Sequence, residues 1–154
     1  MKSKLDRIRS LLRSQTTLVL ATTGEDCLPR STPLFFIADD GLRLYWFSSR
    51  SSLHSRNCAR SPEASIAISR DVRRWQQIEG VQMQGMVSIV TDRGLRNSIA
   101  GEYTARFQLG DLFAFAIRRS SLYCFRPYWV RYLDNSRRFG YKFELNLPPD
   151  LPRR

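Results

Sequence analysis

Leu5, Ile8, Leu11 and Leu12 recur at helical spacing with charged residues between them. They predict a short amphipathic helix over residues 2–13. The apolar blocks that follow are β-branched or alternating and suit strands. They fall at 17–22 (TLVLAT), 30–38 (RSTPLFFIA), 42–48 (LRLYWFS) and 64–69 (ASIAIS). A longer strand is expected over 78–90 (IEGVQMQGMVSIV), bent at Gly80 or Gly85, where a missing side chain relieves a sheet. Another runs over 121–134 (SLYCFRPYWVRYLD), bent at Pro127, and a last one over 139–147 (FGYKFELNL). Gly24, Glu25 and Asp26 mark a turn, and Asp39-Asp40-Gly41 marks a hairpin turn. A short helix over 52–60 stops before Ser61-Pro62, and a second covers 91–107 with Asp92 near its start. Residues 112–118 are left unassigned, and 148–154 read as a frayed tail.

About six short strands with two or three helices, joined by hairpin turns, predict a mainly β fold. A closed antiparallel barrel is expected, because closure removes exposed strand edges. The regular strand–helix alternation of a parallel sheet is absent. A length of 154 residues without repeat, linker or low-complexity tract predicts one domain, 1–154.

Composition then narrows the class. No apolar run approaches the roughly 18 residues of a membrane span. The basic N-terminus lacks the apolar stretch of a secretory signal. Cys27, Cys58 and Cys124 are widely spaced and odd in number, which argues against a disulfide framework or a zinc site and suits a reducing cytoplasm. With one histidine, His54, a multi-histidine metal cluster is excluded. The net charge of +11 is nearly all arginine, scattered along the chain. It suits small phosphorylated ligands better than nucleic acid, because no basic stripe interleaved with aromatics stands on one strand pair.

The strongest local feature is a strand ending in Phe47-Ser48-Ser49, a turn with Arg50 and Ser51, and a helix that starts at Ser52. Hydroxyls, a guanidinium and a helix N-terminus with unpaired N–H groups suit a phosphate. Taken alone, the same residues describe a serine-capped helix beside a solvated arginine. His54 stands between two roles, a hydrogen-bonded helix residue and, when protonated, an anion contact. Arg30 either touches the ligand or flanks a strand. Tyr45 and Trp46 point to opposite faces, one toward the core and the other free to stack on a ligand. Trp75, Tyr128 and Trp129 are expected in the core or at a dimer contact. No carboxylate pair is evident, since Glu79 and Glu102 are isolated.

The order of LPRSTPLFF (28–36), DGLRLYWFSS (40–49) and SLHSRNCARSP (52–62) resembles the pyridoxamine 5′-phosphate oxidase-like FMN-binding split barrels. The segments GVQMQG (80–85) and YLDNSRRFGYK (132–142) extend the resemblance, the latter toward a poorly characterised bacterial branch. The resemblance implies a six-stranded antiparallel split β-barrel of Greek-key type, with FMN at a homodimer interface and oxidoreductase activity on an unknown small molecule. It places Thr32, Pro33, Leu34 and Phe35 along the flavin ring, Phe47 and Ser48 beside the cofactor, and Ser52, Leu53 and His54 at the phosphate. Ser49, Arg50 and Arg30 join this set, and Gln82, with Gln77 as its rival, stands near the ring. Leu53 and His54 occupy positions where the family often carries arginine and lysine, and Arg50 or Arg56 is the guanidinium available to compensate, as a fork for phosphate oxygens. Within the same superfamily the alternatives are a non-catalytic flavin, deazaflavin or haem binding module.

Overall fold

The computed structural model describes residues 3–148. Met1, Lys2 and all of the expected tail except Pro148 lie outside the described residues.

Helix α1 (Lys4–Ser14) opens with a capping box, in which Ser3 and Asp6 each bond the other's backbone N–H. Ile8, Leu11 and Leu12 are fully buried on its core face. The strands are β1 (Thr17–Thr23), β2 (Pro29–Phe35), β3 (Ile37–Ala38), β4 (Leu44–Ser48), β5 (Glu63–Ser69), β6 (Glu79–Ile89), β7 (Ser121–Asp134) and β8 (Lys142–Asn146). Helix α2 (Leu53–Arg60) joins β4 to β5, and α3 (Arg93–Phe107) and α4 (Asp111–Arg119) join β6 to β7. Residues 112–118 are thus helical.

Every strand pairing is antiparallel, in the order β2-β1-β5-β6-β7-β4-β3, with β8 also on β7. The expected full closure is corrected: β2 pairs with β1 and β3 with β4, and the ladder path ends there. These two end strands are consecutive in the chain and meet at Phe36, which is buried and donates its N–H to the Thr16 carbonyl. The covalent chain therefore joins the ends that a ladder would otherwise join. The result is a sheet curled into a half-barrel with flanking helices, the split-barrel fold.

Two sequence bends have physical causes. A Cβ on Gly85 would sit 2.3 Å from the Arg126 carbonyl oxygen, so β6 and β7 approach closely only because Gly85 has no side chain. The register shifts there, with Gly85 facing Pro127 and Gln84 facing Trp129. On its other side β7 pairs with β4 before Pro127 and with β8 after it. Proline, lacking an N–H, sits at that changeover. The turn before β4 departs from the expected Asp-Gly hairpin, because the residue at positive φ is Leu42 (+63°) rather than Gly41. The Asp39 carboxylate accepts the Arg43 N–H and holds that turn.

The main core fills the barrel around Leu18, Leu20, Trp46, Ile66, Met83 and Phe125. A second cluster, with Tyr45, Ile99, Tyr103 and Leu122, lies between β4, β7 and α3. Tyr45 and Trp46 do point to opposite faces, yet both are buried, so neither is free to stack on a ligand. Trp46 stacks on Tyr123, and the Tyr45 hydroxyl donates to Asp39 at 3.0 Å. Trp75 and Tyr128 are exposed rather than core residues.

Candidate cofactor site

The end of β4, the turn after it and the start of α2 bring together the residues singled out from sequence. Ser48 Oγ lies 2.7 Å from His54 Nε2 and 3.2 Å from Ser52 Oγ. Ser52 Oγ is also 3.1 Å from His54 Nε2 and 2.8 Å from Ser55 Oγ. Ser49 and Ser51 pair with each other at 2.8 Å. Ser52 occupies the N-cap position of α2, but its side chain makes no capping bond. The serine cap expected from sequence is therefore not formed, and the first N–H groups of α2 are left for another acceptor.

Burial lowers the pKa of His54 below its ordinary value. That shift favours the neutral imidazole over the protonated anion contact considered from sequence. Arg50 is not merely solvated: its Nε donates to Ser121 Oγ at 2.9 Å. Arg30 donates to the Asp26 carboxylate at 2.6 Å in the turn between β1 and β2. That hydrogen bond is the main reason the Asp26 pKa lies below its ordinary value.

Strand β2 has a single ladder partner. Alternate backbone N–H and C=O groups on its other side point away from the sheet. Thr32 and Leu34 are half-buried, and Leu34 packs on the core, whereas Pro33 and Phe35 are exposed. Phe35 stacks on Phe107 with ring centroids 4.5 Å apart, and its carbonyl accepts from Tyr103. Phe47 is held edge-on by Tyr103 at 5.3 Å, with Arg96 over its ring. Burial pushes the Tyr103 hydroxyl up to about 12, so it stays a neutral donor.

Gln82 does not join this group within one chain. It lies on the outward face of the sheet, in a row with Ala67, Val19 and Pro33. Two strands separate it from β2, a span of about 14 Å at ordinary strand spacing. Gln77 lies exposed in the 3-10 turn Trp75–Gln77, before β6. A second outward row runs through Ser31, Ala21, Ser65 and Gln84. As far as β6 neither row contains a charge, although a quarter of the chain is charged; on β7 they continue to Arg131 and Trp129.

Three groups carry less chemistry. Burial pushes the Cys58 and Cys124 thiols up to about 11, so they remain protonated and unreactive. Among the described residues no cluster of His, Cys, Asp and Glu could hold a metal ion. No described helix is long and apolar enough to cross a membrane. Arg56, which the sequence offers with Arg50 in place of cations at 53 and 54, lines a cleft of about 810 Å³ beside Arg30, together with Arg60 and Asp26, which sequence reasoning passed over. Their one legible signal was the spacing of Leu53, Arg56, Asn57 and Arg60, which repeats as one face of α2.

An FMN molecule would demand three things of these residues: a donor–acceptor edge for its ring, an apolar surface for its rings, and N–H, hydroxyl or cationic groups for its phosphate. The free side of β2, the exposed Pro33, and the uncapped start of α2 among serines and arginines supply all three. The residues present fit the group.

Comparison with known proteins places the chain. A protein-family model described as pyridoxamine 5′-phosphate oxidase matches residues 5–134. No curated protein sequence matches. Among solved structures, a conserved hypothetical protein of Mycobacterium tuberculosis superposes with a TM-score of 0.76 at 20% identity, covering 88% of this chain and 86% of its own. The haem storage protein HutZ of Vibrio cholerae gives 0.66 at 18%, covering 82% and 91%. A protein of Clostridium acetobutylicum related to general stress protein 26, of the pyridoxine-phosphate oxidase family, gives 0.67 at 14%, covering 92% and 93%. At these identities the structural matches establish the fold. The family model spans most of the chain, and the chain belongs to the pyridoxamine 5′-phosphate oxidase family.

Proposed function

We propose that this protein is an FMN-binding flavoprotein that works as a homodimer and catalyses an oxidation–reduction on a small molecule. The observation that carries the proposal is the free side of β2 running toward the hydroxyl-rich start of α2, in a chain of this family. The backbone of Thr32, Pro33, Leu34 and Phe35 meets the ring edge. Phe47 and Ser48 stand at the end of β4, and Ser49, Arg50, Ser52 and His54 surround the start of α2. Arg30 supplies a guanidinium from β2.

When bound, FMN supplies hydride transfer at its ring. The chain's own residues then bind, orient and shield. Backbone N–H groups of β2 favour negative charge on the ring edge. Phe35, braced by Phe107, limits water on one side. His54, neutral and hydrogen-bonded to Ser48, positions that hydroxyl rather than supplying charge.

The outward rows from Pro33 to Gln82 and from Ser31 to Gln84 support the homodimer. A sheet face without a charge in these rows from β2 to β6 is a poor surface to leave in water on a strongly basic chain, and it suits a self-complementary contact. Gln82 reaches a flavin only across such a contact, on the partner's β2.

Haem binding is the second reading, favoured by the haem storage protein among the structural neighbours. Here His54 is the one histidine and its Nε2 is engaged by two hydroxyls. The absorption spectrum of the purified protein separates the two. Bands near about 375 and 450 nm are expected for flavin, whereas a Soret band near about 400 nm would favour haem.

A further inference from the structure

The loops from β5 to β6 (70–78) and from β7 to β8 (135–141) emerge side by side, since Glu79 at the start of β6 faces Asp134 at the end of β7. Each carries the same short pattern, Arg73-Arg74-Trp75 in one and Arg137-Arg138-Phe139 in the other. Along the chain no basic stripe interleaves with aromatics on one strand pair. The fold assembles one from these two segments, which lie far apart in sequence. Their aromatic rings meet edge to face at 5.3 Å between centroids, yet Trp75 is 54% and Phe139 79% exposed. The contact orients the rings without covering them.

Asn135 fixes this arrangement with three groups. Its backbone N–H donates to the Ile78 carbonyl at 2.9 Å, its Nδ2 donates to the Trp75 carbonyl at 3.0 Å, and its Oδ1 accepts the Gly140 N–H at 3.0 Å. Gly140 has a φ of +69°, a conformation that glycine adopts without strain, and it turns the chain directly after Phe139. The Asp134 carboxylate is buried and accepts both the N–H and the hydroxyl of Ser136. The two exposed rings are therefore ordered before any ligand arrives, which lowers the entropy lost on binding.

The charge around them is one-sided. Arg73, Arg74, Arg137 and Arg138 are exposed, and the guanidinium groups of Arg73, Arg74 and Arg138 have no partner among the described residues. Arg137 lies over the Tyr141 ring at 5.0 Å. Arg70 is taken by Glu79, and Asp71 is the one carboxylate that either loop contains. A second copy seated on this patch about a two-fold axis would set arginine against arginine. An acidic peptide would meet the arginines but leave both rings without a stacking partner.

We infer that this end of the sheet binds single-stranded nucleic acid, with bases stacked on Trp75 and Phe139 and phosphates held by the flanking arginines. Every base offers a flat face to an aromatic ring, and a guanidinium meets two phosphate oxygens at once. A duplex hides its base faces in the stack, so an unpaired strand is the form that fits. The inference is independent of the proposed flavin binding.

The test follows fluorescence anisotropy of a labelled deoxythymidine 12-mer, with a uridine 12-mer in parallel, on the full chain at about 50 mM salt. Saturable binding of either strand is expected, and the tighter of the two names the sugar. Trp75→Ala and Phe139→Ala should each weaken it about tenfold, while Trp75→Phe stays within about threefold of wild type. Displacement by polyphosphate, which has charge without bases, should be unchanged in wild type and Trp75→Ala alike, to within about twofold. Arg73→Ala combined with Arg74→Ala should lower the slope of log affinity against log salt by about one. Melting curves of the variants check that each folds. No saturable binding by wild type, equal affinity in folded Trp75→Ala, or displacement by polyglutamate as effective as by unlabelled strand at equal charge overturns the inference. Conversion of a dimer to a monomer by Phe139→Ala also overturns it, since a second copy would then cover the rings.

Discussion

The two faces of α2 differ in how their polar groups are satisfied. On the barrel side, Ser48, Ser52, His54 and Ser55 bond one another and carry no charge. On the cleft side, Asn57 and Arg60 are spent on fixing the walls, Arg30 is held by the Asp26 carboxylate, and the Arg56 guanidinium has no partner among the described residues. Eight residues of helix thus carry two kinds of polar surface: one is bonded within itself and leaves only the first backbone N–H groups of the helix unpaired, and the other carries guanidinium groups that fix the fold or stand exposed.

The largest expected effect comes from cutting the strap between the cleft walls. Asn57→Ala leaves the buried Thr22 hydroxyl unpartnered and should cost about 2 kcal/mol of stability. For a chain of this size that lowers Tm by about 6 °C, measurable by calorimetry. The same variant should narrow the preference for FMN over riboflavin. An unchanged Tm would mean that α2 is held by packing alone.

A smaller effect isolates the hydroxyl face. The folded pKa of His54 is depressed, so the unfolded chain binds a proton first as the solution is acidified. Its contribution to stability is full above about pH 6.5, the unfolded value, and is lost as pH falls through the lower folded value. His54→Gln should flatten the fall of Tm over that window. Asp6, Asp26 and Glu144 also have lowered pKa values, but they act at more acidic pH and are common to both proteins. Equal slopes for wild type and variant would show that His54 is not held neutral.

The smallest effect is the most diagnostic. His54→Lys restores a cation where the family often has one, beside Ser48 and Ser52 at the uncapped start of α2. FMN affinity should tighten by about twofold to threefold in equilibrium titration, with riboflavin affinity unchanged. Unchanged FMN affinity would place the phosphate away from that helix start.

Much of this fold was legible because strands announce themselves locally. The alternation in β5 and β6 and the glycine and proline at 85 and 127 mark both the elements and the bend between them. The break at Phe36 was hidden, since Phe35, Phe36 and Ile37 read as one apolar strand and the change of partner is a tertiary event. Helix α4 escaped notice because it is short and its apolar run from Leu112 to Ile117 fits a buried strand as readily as a helix. At the candidate site, chain proximity alone suggested the grouping of Ser48, Ser49, Ser51, Ser52 and His54, whose side chains the fold brings into contact. The neutral state of His54 depends on burial, and the pairing of Arg30 with Asp26 and the nearness of Arg56 depend on how a turn and a helix meet. No local pattern encodes those.

Titration of dialysed full-length protein with FMN, followed by fluorescence quenching and light scattering together, tests the central claim most directly. The account predicts saturation at about one FMN per chain on a particle of twice the chain mass, since the proposed site draws on both subunits. A linear dilution signal with no saturation, or saturable binding to a monomer, would contradict it.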